Sequence, residues 1–124
     1  MNLQEKISKL KNGANSNCHG TALYLIGAIG QECSISISSS KTSDFIGFDI
    51  SSLKKLYKPN IGDLVTFRSD SLDLYVHSAV VVELEPEIII FHREKEGGNI
   101  GTEKLEKLAS AYFFTKIEYY TKRK

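Results

Sequence analysis

Asn15-Ser16-Asn17-Cys18-His19-Gly20-Thr21 runs straight into Ala22-Leu23-Tyr24-Leu25-Ile26-Gly27-Ala28-Ile29-Gly30, a polar loop feeding an apolar run. Asn15, Ser16 and Asn17 are all residue types whose side-chain oxygens accept the unpaired amides of a helix start. The apolar residues after Thr21 recur too densely for a one-sided stripe. The pattern therefore predicts a central, buried helix that starts near Cys18 and stops near Gly30, glycine being common just past a helix end. Cys18 then falls in the first turn. There, free N–H groups and the positive end of the helix dipole favour a thiolate, a setting that suits a nucleophile. A cysteine so placed is more often a small core residue, so the case for chemistry rests on residues downstream.

Upstream, Leu3, Ile7 and Leu10 at i, i+4 and i+7 mark a short amphipathic helix closed by Lys11-Asn12-Gly13. Downstream, Cys33, Ile35 and Ile37 alternate with serines, which predicts a strand or extended loop within residues 31–49. Residues 50–57 read as one or two helical turns with a serine cap, stopped by Lys58-Pro59. The turn Asn60-Ile61-Gly62-Asp63 opens a strand, Leu64-Val65-Thr66-Phe67-Arg68. The next, Tyr75-Val76-His77-Ser78-Ala79-Val80-Val81-Val82, is apolar on both parities except at His77 and Ser78, as a central strand covered on both faces would be. Glu85-Pro86-Glu87 turns the chain, and Ile88-Ile89-Ile90-Phe91-His92-Arg93 returns as its antiparallel neighbour. Residues 97–101 read as a glycine-rich loop, residues 102–109 as a short capped helix, and residues 111–120 as a last, aromatic strand. Helices first and a meander of strands second is the α+β pattern, here in a single domain spanning residues 1–124.

Composition narrows the function. Sixteen basic against fifteen acidic residues leave a net charge of +1, so no global field argues for nucleic acid as a partner. Two cysteines make neither a disulfide framework nor a zinc motif, and reduced thiols are expected. The N-terminus lacks the basic and apolar regions of a signal peptide, and no apolar run reaches membrane-spanning length. The expectation is a chain that is cytoplasmic as synthesised and has no membrane span. Delivery by a leaderless secretion route, or an export signal trimmed away, is the alternative.

Two of the three histidines lie in the predicted hairpin, where an unsatisfied polar ring costs about 1–3 kcal/mol. With an even loop around Pro86, His77 and His92 share a face. A two-residue loop sets His77 opposite Glu94 with His92 diagonal to it, a four-residue loop sets it opposite His92, and an odd loop separates the two histidines. If the Cys18 helix packs on that face, a nucleophile, a base and an orienting group come together. No cofactor is needed for such a set.

Cys18-His19-Gly20 opening an apolar helix, residues 59–67 (Pro-Asn-Ile-Gly-Asp-Leu-Val-Thr-Phe), His77-Ser78-Ala79-Val80-Val81, and Ile90-Phe91-His92 before a glycine-rich turn together resemble the NlpC-like cysteine peptidases and their CHAP amidase relatives. That family usually has Ser at the position of His19 and Pro-Gly-Asp where this chain has Pro59-Asn60-Ile61-Gly62-Asp63. The resemblance implies a papain-like fold, with the nucleophile helix packed on an antiparallel sheet. It also implies a Cys18–His77–His92 triad, with Glu94 as the alternative third residue. The expected activity is hydrolysis of an amide bond through an acyl-enzyme, on a peptide or a peptidoglycan-like amide. The Cys18 amide and Asn17 would serve the oxyanion. His19, turned about 100° from Cys18 on a helix, would contact substrate or serve the structure. Two other readings stand beside this one. In the first, the same triad deamidates or acylates a protein, as in a toxin or effector that has an inhibitor or immunity protein as partner. In the second, Cys18, His77 and His92 are ligands in a non-catalytic metal-binding module.

Overall fold

A computed structural model of the protein describes residues 1–34, 44–45, 48–49, 53–95, 97–114 and 116–122. Along the chain run α1 (Leu3–Lys9), α2 (Cys18–Leu25), β1 (Asp44–Phe45), β2 (Phe48–Asp49), β3 (Leu53–Leu56), β4 (Leu64–Ser69), β5 (Leu74–Glu83), β6 (Ile89–Arg93), β7 (Ile100–Lys104), α3 (Leu105–Ala109) and β8 (Lys116–Lys122). The architecture is α+β, as the sequence pattern predicts. β1 and β2 form a two-stranded antiparallel pair. The other strands make one six-stranded sheet in the order β3-β8-β4-β5-β6-β7, antiparallel throughout. Among the described residues no helix is long and apolar enough to cross a membrane.

The sheet is covered on both faces, which explains why β5 is apolar on both parities. On one face Ala22, Leu23 and Leu25 of α2 pack against Leu64, Tyr75, Val80, Phe91 and Tyr120, with Leu3 and Ile7 of α1 at the margin. On the other, Leu105 and Leu108 of α3 meet Val65, Phe67, Ala79, Val81 and Ile90. A bulge in β5, between Phe67↔His77 and Arg68↔Tyr75, shifts the alternation. Tyr75 thereby joins the α2 face, while His77 stays on the α3 face with Phe67.

Helix α2 is apolar all round because it is enclosed, with every residue except Tyr24 buried. Asn17 caps it, its side-chain oxygen accepting the Gly20 N–H at 2.8 Å. The helix stops at Leu25 rather than near Gly30. Gly27, at φ +81°, closes it with paired bonds from the Ala28 N–H to the Leu23 carbonyl (2.9 Å) and from the Gly27 N–H to the Tyr24 carbonyl (3.0 Å). The left-handed residue that ends the helix is thus three positions earlier than expected.

Two other expectations change. Residues 53–56 are an edge strand paired with β8 from Leu53↔Lys122 to Leu56↔Tyr119, not helical turns. A Leu-Lys-Lys-Leu spacing suits either state, and the waiting edge of β8 decides between them. The rest of that expected helix, residues 50–52, and the alternating run through residues 35–43 lie outside the described residues. Likewise Ile100–Lys104 is a strand, with Thr102 opposite Phe91, where a loop and a helix start were expected. The outer edge of β6 needs a partner for its buried amides, and the helix shrinks to Leu105–Ala109 with no side-chain cap bond.

One side chain ties these pieces together. Arg93, fully buried at 0% exposure, donates from Nε to Thr21 Oγ1 (2.8 Å). From Nη1 it donates to the Lys11 and Gly98 carbonyls (3.0 and 2.8 Å), and from Nη2 to Glu32 (2.8 Å). The Thr21 hydroxyl in turn donates to Glu32 at 2.6 Å, and Ser16 Oγ lies 3.1 Å from it. Gly20 is demanded by the same crowding, since a Cβ there would overlap the Cys33 carbonyl. Arg93→Ala should therefore lower stability by about 3–5 kcal/mol. Gly20→Ala should displace the 31–34 segment or prevent folding. Urea unfolding of both variants checks this, and wild-type midpoints would contradict it.

Candidate functional site

Cys18 is the first residue of α2 and His77 lies on β5. The way the sheet opens brings their surroundings together. The ladder between β5 and β6 begins at Val80↔Phe91, although β5 itself starts at Leu74 and β6 runs to Arg93. Below Val80 the strands are unpaired with each other. The Val81 N–H donates to the Asp63 carbonyl at 2.9 Å, so odd-numbered amides of this stretch face β4 and even-numbered ones face the gap. The Ser78 N–H points into that gap and meets the Cys18 sulfur, favouring its thiolate form along with the amides of His19 and Cys18 itself.

The Val80↔Phe91 register is the one in which His92 sits diagonal to His77 on the same face. His77 Nε2 and His92 Nδ1 are 3.0 Å apart, and both rings are buried. Phe67 meets the His77 ring edge-on at 5.8 Å between centroids. Tyr112 stacks on it at 4.4 Å and 20°, and its hydroxyl donates to the Glu94 carbonyl at 3.4 Å. Glu94 itself is exposed. It acts on His92 by partly offsetting the burial that lowers the His92 pKa, as Glu103 also does.

The other two expected site residues, Asn17 and His19, both make hydrogen bonds within the protein. Asn17 caps the helix through Oδ1, which orients the first-turn amides. His19 is buried, with Nδ1 2.6 Å from Ser78 Oγ, an internal hydrogen bond that corresponds to the structural one of its two expected roles. The sequence reading missed Arg93, Thr21, Ser78 and Tyr112. Arg93 follows His92 in the chain and so faces α2, a signal that strand alternation alone contains. Tyr112 is reached only through the fold.

Burial dominates the electrostatics. It pushes the Cys18 thiol up to about 11, against the three amides that favour the thiolate. It also pushes His77 down to about 3, with His92 and His19 adding to the effect. At neutral pH the site rests as thiol and imidazole, not as the ion pair that a helix dipole alone suggests. Cys18 and Cys33 are both free thiols. Among the described residues no three His, Cys, Asp or Glu side chains converge as a metal ion requires, and His77 and His92 turn their nitrogens on each other. No family model, curated protein or solved structure matches the chain.

The buried histidines set an acid limit. Burial holds the folded pKa of His19 at about 4 and of His77 at about 3, and lowers that of His92, all below the ordinary 6.5. Unfolded chains take up protons near pH 6.5 that the folded protein refuses. Stability is therefore complete above pH 6.5 and lost as pH falls toward 4, by up to about 1.4 kcal/mol per pH unit for each histidine. Urea midpoints should hold from pH 7.5 to about 6.5 and then fall down to pH 4.5, and a series flat throughout would contradict this.

Proposed function

We propose that the protein is a cysteine hydrolase of the NlpC-like, papain-fold type, cleaving an amide bond through an acyl-enzyme. Cys18 is the nucleophile, His77 the base and His92 the orienting residue. The observation that carries this reading is the 3.0 Å contact between His77 Nε2 and His92 Nδ1, beside a sulfur that meets the amide following His77. With Nε2 engaged by His92, Nδ1 of His77 is the nitrogen left to take the Cys18 proton. For that, Nε2 must carry a hydrogen, which it donates to His92 Nδ1, and His92 then holds its own hydrogen on Nε2.

Because the resting pair is neutral, proton transfer accompanies attack rather than preceding it. The Cys18 sulfur bonds to the amide carbonyl carbon as its proton passes to His77. The Cys18 N–H, held in place by the Asn17 cap, donates to the carbonyl oxygen as negative charge grows there. His77 then protonates the leaving amine. Water, deprotonated by His77, releases the acid and restores the thiol. A peptide or peptidoglycan-type amide is the substrate class this chemistry serves.

A burst with p-nitrophenyl acetate tests the assignment. Wild type should release nitrophenolate in a burst of about one equivalent and gain an acetyl group on Cys18. Cys18→Ala should show neither while keeping its unfolding free energy in urea within about 1 kcal/mol of wild type. His77→Ala should slow acylation by about 10²-fold or more. Acylation of Cys18 at the wild-type rate in His77→Ala would sink the assignment.

A further inference from the structure

We propose that the His19–Ser78 hydrogen bond is a positioning clamp that sets the separation of Cys18 and His77. This rests on the hydrolase reading above. His19 follows the nucleophile in the chain and Ser78 follows the base. Their side chains meet at 2.6 Å, Nδ1 to Oγ, with both residues buried at 5% and 1% exposure. Each anchor is one peptide unit, about 3.8 Å between Cα atoms, from the residue it positions. The clamp ties the first turn of α2 to β5 beside the contact of the Ser78 N–H with the Cys18 sulfur.

The other tie between the two elements is the Ser78 N–H, which meets the Cys18 sulfur, and the side-chain bond holds the residue that carries it. The β5–β6 ladder begins only at Val80↔Phe91, so no strand holds Ser78 from the gap side. The Arg93–Thr21 bond anchors α2 to β6 three residues beyond Cys18, nearly one turn deeper. The Ser78 amide faces the Cys18 sulfur, so a hydrogen bond on the Ser78 side chain also steadies the donor that favours the thiolate. Burial keeps His19 neutral down to about pH 4. The bond is then between neutral groups and persists across the pH range where hydrolysis would run.

The test reads the thiol directly. We would measure second-order rate constants for iodoacetamide at Cys18, resolved from Cys33 by peptide mass, between pH 6 and 9. Wild type, His77→Ala, Ser78→Ala and the His77→Ala/Ser78→Ala double variant close a cycle. Each single change should slow alkylation at pH 7 by about tenfold or more, and the double variant should be no slower than His77→Ala alone. Ser78→Thr and His19→Asn, which keep a hydroxyl or place a polar atom near Nδ1, should stay within about threefold of wild type. His19→Leu should behave like Ser78→Ala and substitutes for it if that variant does not fold. Leu64→Val, a core change of comparable stability loss, should leave the rate unaltered. The clamp is overturned if Ser78→Ala reacts at the wild-type rate or faster, or if its effect multiplies with that of His77→Ala. An unchanged rate in His77→Ala alone overturns the hydrolase reading and the clamp together, so the two failures are told apart.

Discussion

The fold depends on a charge that has been removed from water. A guanidinium buried without partners is costly by several kcal/mol. Arg93 offsets that with acceptors from four separate places: Lys11 after α1, Thr21 inside α2, Glu32 beyond it, and Gly98 in the turn after β6. Only Glu32 among them carries a charge, so the guanidinium is neutralised at one point and hydrogen-bonded at the rest. Moving any one of these segments strands a donor. The requirement therefore works as a constraint on register, fixing which part of α2 lies over β6. Because successive residues of a strand face opposite ways, the same backbone step that sends Arg93 to α2 sends His92 to His77 on the far face.

The candidate site follows from an interruption in the sheet. Were β5 and β6 paired to their ends, the Ser78 amide would be taken by a strand neighbour and Cys18 would have no donor to meet. With the ladder starting at Val80, the Ser78 amide is left to meet the sulfur at the first turn of α2, next in the chain to His77. Tyr112 and Phe67 close the histidine side and keep water from the imidazole. Enclosure explains why a sulfur at a helix start, next to three favourable amides, still holds its proton. Burial penalises a lone charge more than those dipoles repay, whereas transfer from sulfur to imidazole creates two opposite charges at once.

Much of this was legible in the sequence, and the rest was hidden for identifiable reasons. The capped start of α2 at Asn17-Cys18, the two-sided burial of β5 and the shared face of His77 and His92 follow from local pattern and strand parity. Edge strands do not. Leu53–Leu56 and Ile100–Lys104 have spacings that fit other states, and their conformation is imposed by the open edges of β8 and β6. The helix start that favours a Cys18 thiolate is visible in sequence, while the enclosure that raises its pKa is not. Arg93 is not legible because an arginine at a strand end usually points to solvent, and its four acceptors are scattered between residues 11 and 98.

A protonated, enclosed sulfur has a further consequence, for oxidative damage. Peroxides attack thiolates, and the route from sulfenic to irreversible sulfinic and sulfonic acids begins with that attack. With its pKa raised to about 11 and 8% of its surface exposed, Cys18 offers almost no thiolate at neutral pH and little surface to an oxidant. Cys33, half-buried in the segment that follows α2, is the more accessible of the two sulfurs. Surface exposure thus favours Cys33 over the sulfur at the head of α2 as the first point of oxidation.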